Sequence, residues 1–112
     1  MTKPIDWRGS ALDDVKEFPE DAKRQAGFQL HKVQQGDAPD DFKPMPDVGA
    51  GSFEIIVDTA SGWFRVLYVA KFGEAVYVLH AFQKKTNKTP KSDIEIARRR
   101  YNAIVAERKQ KQ

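Results

Sequence analysis

The amino-acid sequence predicts a small α+β domain: an antiparallel sheet with an N-terminal helical hairpin on one face and a C-terminal helix. Two apolar runs rich in β-branched and aromatic residues, 63–72 and 75–82, flank a Gly73-Glu74 turn, a pattern typical of a β-hairpin. Each run is apolar on both faces, which is typical of central strands covered on both sides. Helical spacing precedes and follows these runs, so residues 1–112 are expected to form a single domain.

The N-terminal third predicts a short strand and two helices. Residues 4–7 suit a brief edge strand by their length, although we expect the strand to pair inside the sheet because an isolated edge strand of four residues would contribute little. Ser10 suits the N-cap of a helix reaching about Phe18, and Pro19 suits the first turn of a second helix ending at Gly36. The apolar stripe of this second helix is formed by Ala22, Ala26, Phe28, Leu30 and Val33. The two helices are expected to cover one face of the sheet.

The middle of the chain predicts a loop and then a strand. Residues 35–52 contain three of the six prolines and three of the seven glycines, which indicates a loop without regular structure. From Phe53 to Asp58 the residues alternate, predicting a strand that opens a three-stranded meander with the hairpin. Thr89 and Pro90 suit the start of the C-terminal helix. Its buried stripe is predicted to be Ile94, Ala97, Tyr101 and Ile104.

Composition excludes several classes of function. The sequence has no cysteine, which excludes disulfides and thiolate chemistry, and its two histidines, His31 and His80, lack the spacing of a zinc site. No apolar run approaches the roughly 20 residues that span a bilayer, and the N-terminus has no signal-peptide pattern. The sequence therefore predicts a cytoplasmic protein without a metal, a cofactor or a membrane partner.

Charge is unevenly divided along the chain. Residues 1–60 hold 7 Lys and Arg against 12 Asp and Glu, whereas residues 61–112 hold 12 against 4. If the two halves occupy different faces, the basic side attracts polyanions, which indicates nucleic-acid binding. The alternative is an ordinary solvated surface.

Cationic residues lie within and just after the predicted hairpin. Arg65 falls inside a strand expected to be central, and Lys84, Lys85 and Lys88 follow the second strand. An arginine in a central strand is costly unless its guanidinium reaches a partner, an edge or a ligand. Two interpretations stay open: a structural arginine, snorkelling or ion-paired, and a preformed anion site at the exit of the sheet, with phosphate as the anion.

The segment 79–90, LHAFQKKTNKTP, is similar to the L-H-x-F-x-K-K-T-x-K-T-P-like segment of the HigB-like, phage-derived host-inhibition toxins. In that branch the segment follows a strand that carries an arginine, as WFRVLYVAKF does here. Together with the order of elements, these motifs make the sequence from Ile5 to Arg100 resemble the RelE/ParE superfamily. The resemblance implies a RelE-like fold and the toxin of a type II toxin–antitoxin pair.

The resemblance also implies an activity and partners. Most members of the HigB and RelE branches are endoribonucleases, or mRNA interferases, that cut mRNA in the ribosomal A site without a metal ion and so inhibit translation. The ParE branch inhibits DNA gyrase instead, and some relatives are inactive, leaving a non-catalytic, antitoxin-binding module as a further alternative. The implied partners are the ribosome, mRNA and a cognate helix-turn-helix antitoxin, with operator DNA contacted only through the antitoxin complex.

The resemblance assigns catalytic roles to four residues. Arg65 matches the family's strand arginine, and its implied role is to stabilise charge on the phosphorane. Lys84 falls where the ribonuclease branch often has a basic catalytic residue; Lys84 or its neighbour Lys85 would stabilise the transition state or act as acid or base. His80 is the candidate base because its unperturbed pKa lies near neutrality, and a satisfied core histidine is the alternative.

The general base is open, because no carboxylate is expected to lie near the basic cluster. By alternation, His80 is expected to share a face with Val76, Val78 and Phe82. The cations expected to contact RNA are Lys43, Lys71, Lys88, Lys91, Arg98 and Arg99. The alternative for the arginines at 98–100 is a solvated helix face with at least one of them paired with Glu95.

Overall fold

The computed structural model of the chain describes residues 2–111 and contains five strands and three helices in that range. In chain order these are β1 (Ile5–Trp7), α1 (Ala11–Lys16), α2 (Glu20–Gln34), β2 (Phe42–Pro44), β3 (Ser52–Thr59), β4 (Gly62–Val69), β5 (Val76–Lys84) and α3 (Lys91–Gln110). The predicted fold class is confirmed, and α1 and α2 end within two residues of their predicted ends. No helix within residues 2–111 has both the length and the apolar character that crossing a membrane requires.

The sheet has the strand order β1-β5-β4-β3-β2. The predicted antiparallel meander of β3, β4 and β5 is confirmed. The prediction of an edge strand over residues 4–7 is confirmed, because β1 lies at one edge of the sheet, parallel to residues 76–78 of β5. The prediction that this strand pairs inside the sheet is wrong, because β5 is its one neighbour within residues 2–111. The chain turns after β1 at Gly9, whose φ of 55° suits glycine.

The prediction of a loop over 35–52 is wrong for residues 42–44. These residues form β2, an edge strand antiparallel to β3, with Phe42 opposite Ile55 and Pro44 opposite Phe53. An edge strand tolerates proline because its outward N–H groups have no ladder partner. Three residues give too short a pattern to separate a strand from a proline-rich loop.

The connection between β4 and β5 is longer than the predicted turn at Gly73-Glu74, since β4 ends at Val69 and β5 begins at Val76. The pairing also contains a bulge. Leu67 lies opposite His80 while Tyr68 lies opposite Val78, which leaves Leu79 without a partner on β4. The bulge shifts the alternation, so the prediction that His80 shares a face with Val76 and Val78 is wrong.

Helices cover both faces of the sheet. On one face, α1 and α2 pack on an apolar cluster that includes Phe64 and Val66, and on the other face α3 packs on Leu67 and Val69. Phe28, predicted to lie in the buried stripe of α2, is exposed instead. The other four members of that stripe are buried, and the helical repeat puts position 28 on a different side.

Candidate functional site

Strand alternation puts a patch of polar side chains on the face of the sheet that α3 covers only in part. The cross-strand rows on this face are Glu54–Leu67–His80, Ile56–Arg65–Phe82 and Asp58–Trp63–Lys84, and β2 adds Lys43 to the first row. The apolar residues of α3 pack on the part of this face near Leu67 and Leu79. The last row, at the end of β5, therefore borders a region without helix cover.

Arg65 is buried in this patch and is held by carboxylates. Its Nη1 donates hydrogen bonds to Oδ1 of Asp58 at 2.7 Å and to the Phe64 carbonyl at 2.8 Å. Its Nε lies 3.7 Å from Oε1 of Glu54, and neither of these two buried atoms has a hydrogen-bond partner within residues 2–111. The guanidinium is thus fixed in place by charge on two sides.

Glu54 is the fully buried anion of the patch, with 0% exposure. Its Oε2 accepts a hydrogen bond from the Thr89 hydroxyl at 2.7 Å, and its Oε1 lies 3.5 Å from the Lys43 amino group. Thr89, predicted to cap α3, therefore anchors the loop after β5 to the sheet. The interpretation that no carboxylate lies near the basic cluster is wrong, because strand pairing brings Glu54 and Asp58 to Arg65.

Lys84 is the second buried cation, only 8% exposed, and it forms no salt bridge with any described residue. Burial lowers its pKa below the usual 10.5, and the neighbouring cations Arg65 and Lys43 lower it further, while Glu54 and Asp58 act in the opposite direction. A lysine whose pKa is lowered releases its proton more readily than an exposed lysine does.

Arg65 and Lys84 open into one cleft of about 200 Å³. Its other lining residues are Asp58, Trp63, Thr86 and Asn87. Thr86 and Asn87 come from the loop that Thr89 anchors, so the loop forms one wall and the sheet forms the floor. No group of three or more His, Cys, Asp or Glu side chains within residues 2–111 is arranged to hold a metal ion.

The residues of the cleft lie within a segment that matches a known protein family. The family model described as Phage derived protein Gp49-like (DUF891) matches residues 13–102, which include the whole cleft. The chain belongs to this Gp49-like family. The family is associated with RelE-like toxins of toxin–antitoxin systems, which agrees with the broader part of the predicted resemblance. A search of curated proteins found no match.

In this Gp49-like protein, His80 is buried outside the cleft lining. Its Nε2 lies 2.7 Å from Oδ1 of Asp93 in the first turn of α3, and its ring stacks on Phe82 at 5.4 Å between centroids. Its Nδ1 is buried and has no hydrogen-bond partner within residues 2–111. The contact with Asp93 joins β5 to α3, and the catalytic role of His80 stays a prediction.

The arginines at 98–100 do not form a uniform solvated face. Nε of Arg98 donates to the Asp47 carbonyl at 2.7 Å, and Nη1 of Arg100 donates to the Leu79 carbonyl at 2.9 Å. Arg99 is exposed. Two of the three arginines thus bind backbone carbonyls, and no salt bridge joins any of them to Glu95 in the described chain.

The predicted RNA-contacting lysines lie in three places. Lys88 and Lys91 are exposed near the cleft wall, as is Lys85, whereas Lys43 lies on β2 next to Glu54. Lys71 follows the opposite end of β4, where its amino group lies 5.2 Å from the Phe72 ring centroid and 5.9 Å from that of Tyr101. The structure therefore does not bring Lys71 to the cleft.

Sequence reasoning missed Glu54, Asp58 and Trp63 as site residues. The two carboxylates lie on one face of β3 with Ile56 between them, and the alternation of residues 53–58 was used only to predict a strand. The sequence feature that could have indicated them is the pair of carboxylates on one face of a strand that precedes the strand with Arg65. Their pairing with Arg65 depends on the register of β3 with β4, which no single strand pattern reveals.

Proposed function

We propose that this Gp49-like protein is the toxin of a type II toxin–antitoxin system and that it is an endoribonuclease which cuts mRNA on the ribosome without a metal ion. The observation that carries this proposal is the convergence of Arg65 and Lys84 in one cleft. Lys84 is buried there without a salt bridge to any described residue. A phosphate group supplies the missing counter-charge and matches the fork of an arginine.

The chemistry is attack of a ribose 2′-oxygen on the neighbouring phosphorus, with cleavage of the bond to the 5′-oxygen. The 2′-hydroxyl proton goes to a base, and the departing 5′-oxygen takes up a proton, which leaves a 2′,3′-cyclic phosphate and a 5′-hydroxyl end. Arg65 and Lys84 stabilise the charge that develops on the phosphorane. The lowered pKa of Lys84 also suits it to pass a proton to the 5′-oxygen.

The exposed lysines around the cleft extend the site along an RNA backbone. Lys85 and Lys88 lie in the loop that forms the cleft wall, and Lys91 begins α3. Contacts of this kind bind phosphates without reading sequence and weaken steeply as salt rises. We assign ribosome and mRNA binding to these exposed lysines. We assign inhibition of the toxin to a helix-turn-helix antitoxin, through which the toxin–antitoxin complex also binds operator DNA.

The test is cleavage of a defined mRNA by purified protein, with and without programmed ribosomes and with chelator present. We expect cuts that need ribosomes, survive chelation and fall by about 100-fold or more in Arg65→Ala and Lys84→Ala. Lys109→Ala is the matched control, since this exposed lysine lies near the far end of α3. A folded Arg65→Ala protein with full cleavage activity would show that the proposal is wrong.

A non-catalytic toxin is the second candidate, because Arg65 already pairs with Asp58 as an arginine with a purely structural role does. One form of it is a ParE-like inhibitor of DNA gyrase, and another is a module that only binds an antitoxin. Inhibition of supercoiling by purified gyrase favours the first form. Absence of mRNA cleavage, gyrase inhibition and growth inhibition favours the second.

A further inference from the structure

Trp63 is an exposed aromatic side chain at the mouth of the cleft. It is 49% exposed, whereas the next residue on β4, Phe64, is 2% exposed. Trp63 takes part in none of the aromatic pairs or cation–π contacts formed within the described chain. The fold therefore does not use this indole ring for aromatic packing, although leaving so much apolar surface in water is unfavourable.

The position of Trp63 ties it to the two buried cations. It lies directly opposite Lys84 on β5 and opposite Asp58 on β3. Arg65 is two residues further along the same strand, on the same face, a spacing of about 7 Å between backbones. A phosphate held by Arg65 and Lys84 thus has the indole as its immediate apolar neighbour.

We infer that Trp63 stacks on a nucleobase of the RNA strand whose phosphate Arg65 and Lys84 bind. The inference rests on the proposed function and names its ligand more closely: an unpaired nucleotide. Aromatic rings stack on the flat face of any base, but only unpaired bases present that face. A paired duplex offers Trp63 no such face, so the site is selective for single-stranded RNA.

The surroundings of Trp63 favour a nucleotide over an apolar anchor from a protein partner. The cleft beside it is polar on every side, lined by Asp58, Lys84, Thr86 and Asn87. An apolar anchor would leave the buried Lys84 amino group without a counter-charge, whereas a nucleotide offers it a phosphate and offers Trp63 the flat face of a base. Asn87, which lines the cleft from the loop, has an amide with both donors and an acceptor, which suits the edge of a base.

The experiment measures mRNA cleavage on programmed ribosomes at subsaturating protein concentration. We expect Trp63→Ala to lower the rate by about 10-fold or more, and Trp63→Phe to recover most of it, because a phenyl ring also stacks. Phe28→Ala is the control, since Phe28 is similarly exposed but lies on α2, which covers the opposite face of the sheet. Thermal melting checks that each variant is folded.

A binding measurement separates stacking from a general effect on the ribosome complex. The probe is a fluorescent single-stranded 2′-O-methyl RNA, which cannot be cut because its 2′-oxygens are blocked, compared with the same strand in a duplex. We expect the wild type to bind the single strand more tightly than the duplex. Trp63→Ala is expected to remove this preference and leave the salt-dependent duplex binding unchanged.

Three results would overturn the inference. The first is wild-type cleavage by Trp63→Ala where Arg65→Ala is inactive, which leaves the proposed function intact. The second is a Trp63→Phe protein as defective as Trp63→Ala, since stacking requires only an aromatic face. The third is a Trp63→Ala protein that cleaves normally but no longer binds its antitoxin, which identifies a protein-docking residue. Absence of cleavage by the wild type itself counts against the proposed function instead.

Discussion

The two faces of the sheet differ in how completely helices cover them. The face under α1 and α2 is apolar over most of its length, with Ile55, Val66 and Val78 among its buried residues. The face under α3 is apolar near Leu67 and polar near Lys84. The difference shows that the cleft lies where one helix fails to cover a face that two helices cover on the other side.

The two faces also differ in what burial does to stability. Apolar side chains under α1 and α2 contribute to the free energy of unfolding as they leave water. At the polar end of the other face, burial of Glu54, Arg65 and Lys84 costs desolvation free energy that ion pairs repay only in part. Buried charges kept at such a cost agree with the proposed phosphate site.

The largest expected effect contrasts two neighbouring aromatic residues of β4 that point to opposite faces. Phe64→Ala is expected to lower the free energy of unfolding by about 3–5 kcal/mol, because it leaves a cavity in the apolar face. Its ring lies 4.7 Å from that of Phe18, measured between centroids. Trp63→Ala is expected to change stability by less than about 1 kcal/mol, since the indole is half exposed. Urea denaturation measures both.

Equal losses in the two variants would contradict the comparison between the faces. They would mean that the indole packs in solution and that the cleft mouth is closed. A loss confined to Phe64→Ala, joined to lower RNA cleavage in Trp63→Ala, would assign stability to one face and function to the other.

The elements that were predicted correctly are indicated by local sequence patterns. The β-branched and aromatic residues of β4 and β5 favour strands in any context, and the periodic apolar stripe of α3 is visible in the sequence without its packing partner. The features that were missed depend on neighbours in space. β2 becomes a strand only by pairing with β3, and the bulge at Leu79 appears only in the register of β4 with β5.

The candidate site, too, was predicted only where its residues are conspicuous in the sequence by themselves. Arg65 and Lys84 were selected from sequence because a cation in or beside an apolar strand is conspicuous on its own, and they do line one cleft. Asp58 and Glu54 look like ordinary strand residues until pairing brings them to Arg65. Trp63 looked like part of the core because aromatic residues in strands usually are, and only its exposure separates it from Phe64.

A smaller effect of opposite sign is expected at the polar end of the α3 face. Lys84→Met is expected to raise the free energy of unfolding by about 1 kcal/mol, because methionine fills a similar volume without a buried charge. The same substitution is expected to abolish mRNA cleavage. Chemical denaturation at neutral pH and the ribosome assay measure the two changes.

The stability difference between Lys84→Met and the wild type is expected to change with pH in one direction. Folding lowers the pKa of Lys84, so the folded state disfavours the ammonium form and wild-type stability is reduced at all pH values below the lowered pKa. As pH rises from that pKa towards the usual 10.5, the wild type gains stability relative to Lys84→Met and the difference narrows. A difference that widened over this range would mean that Lys84 is stabilised as a cation, as in an ordinary ion pair.

The smallest effect is expected where the α3 face meets solvent far from the cleft. Glu74 pairs there with Arg108 and accepts a hydrogen bond from the Tyr77 hydroxyl at 2.7 Å, and these contacts lower its pKa from 4.5 to about 2. A lowered carboxyl pKa stabilises the fold above about pH 4.5, and this contribution is lost as pH falls through about 2. Glu74→Gln is expected to cost less than about 1 kcal/mol at pH 7, because both partners are partly exposed and water screens the pair.

The control for this prediction is Glu95→Gln, which removes an exposed α3 carboxylate that forms no salt bridge with any described residue. The stability difference between Glu74→Gln and the wild type should shrink between pH 4.5 and 2, and 1 M salt should shrink it at pH 7. Insensitivity to salt would mean that Glu74 acts through its bond to Tyr77, whose pKa burial raises to about 12, with Glu74 adding to that rise. A carboxylate at this end of the face would then contribute to stability through a hydrogen bond from a hydroxyl, as Glu54 does through Thr89 near the cleft.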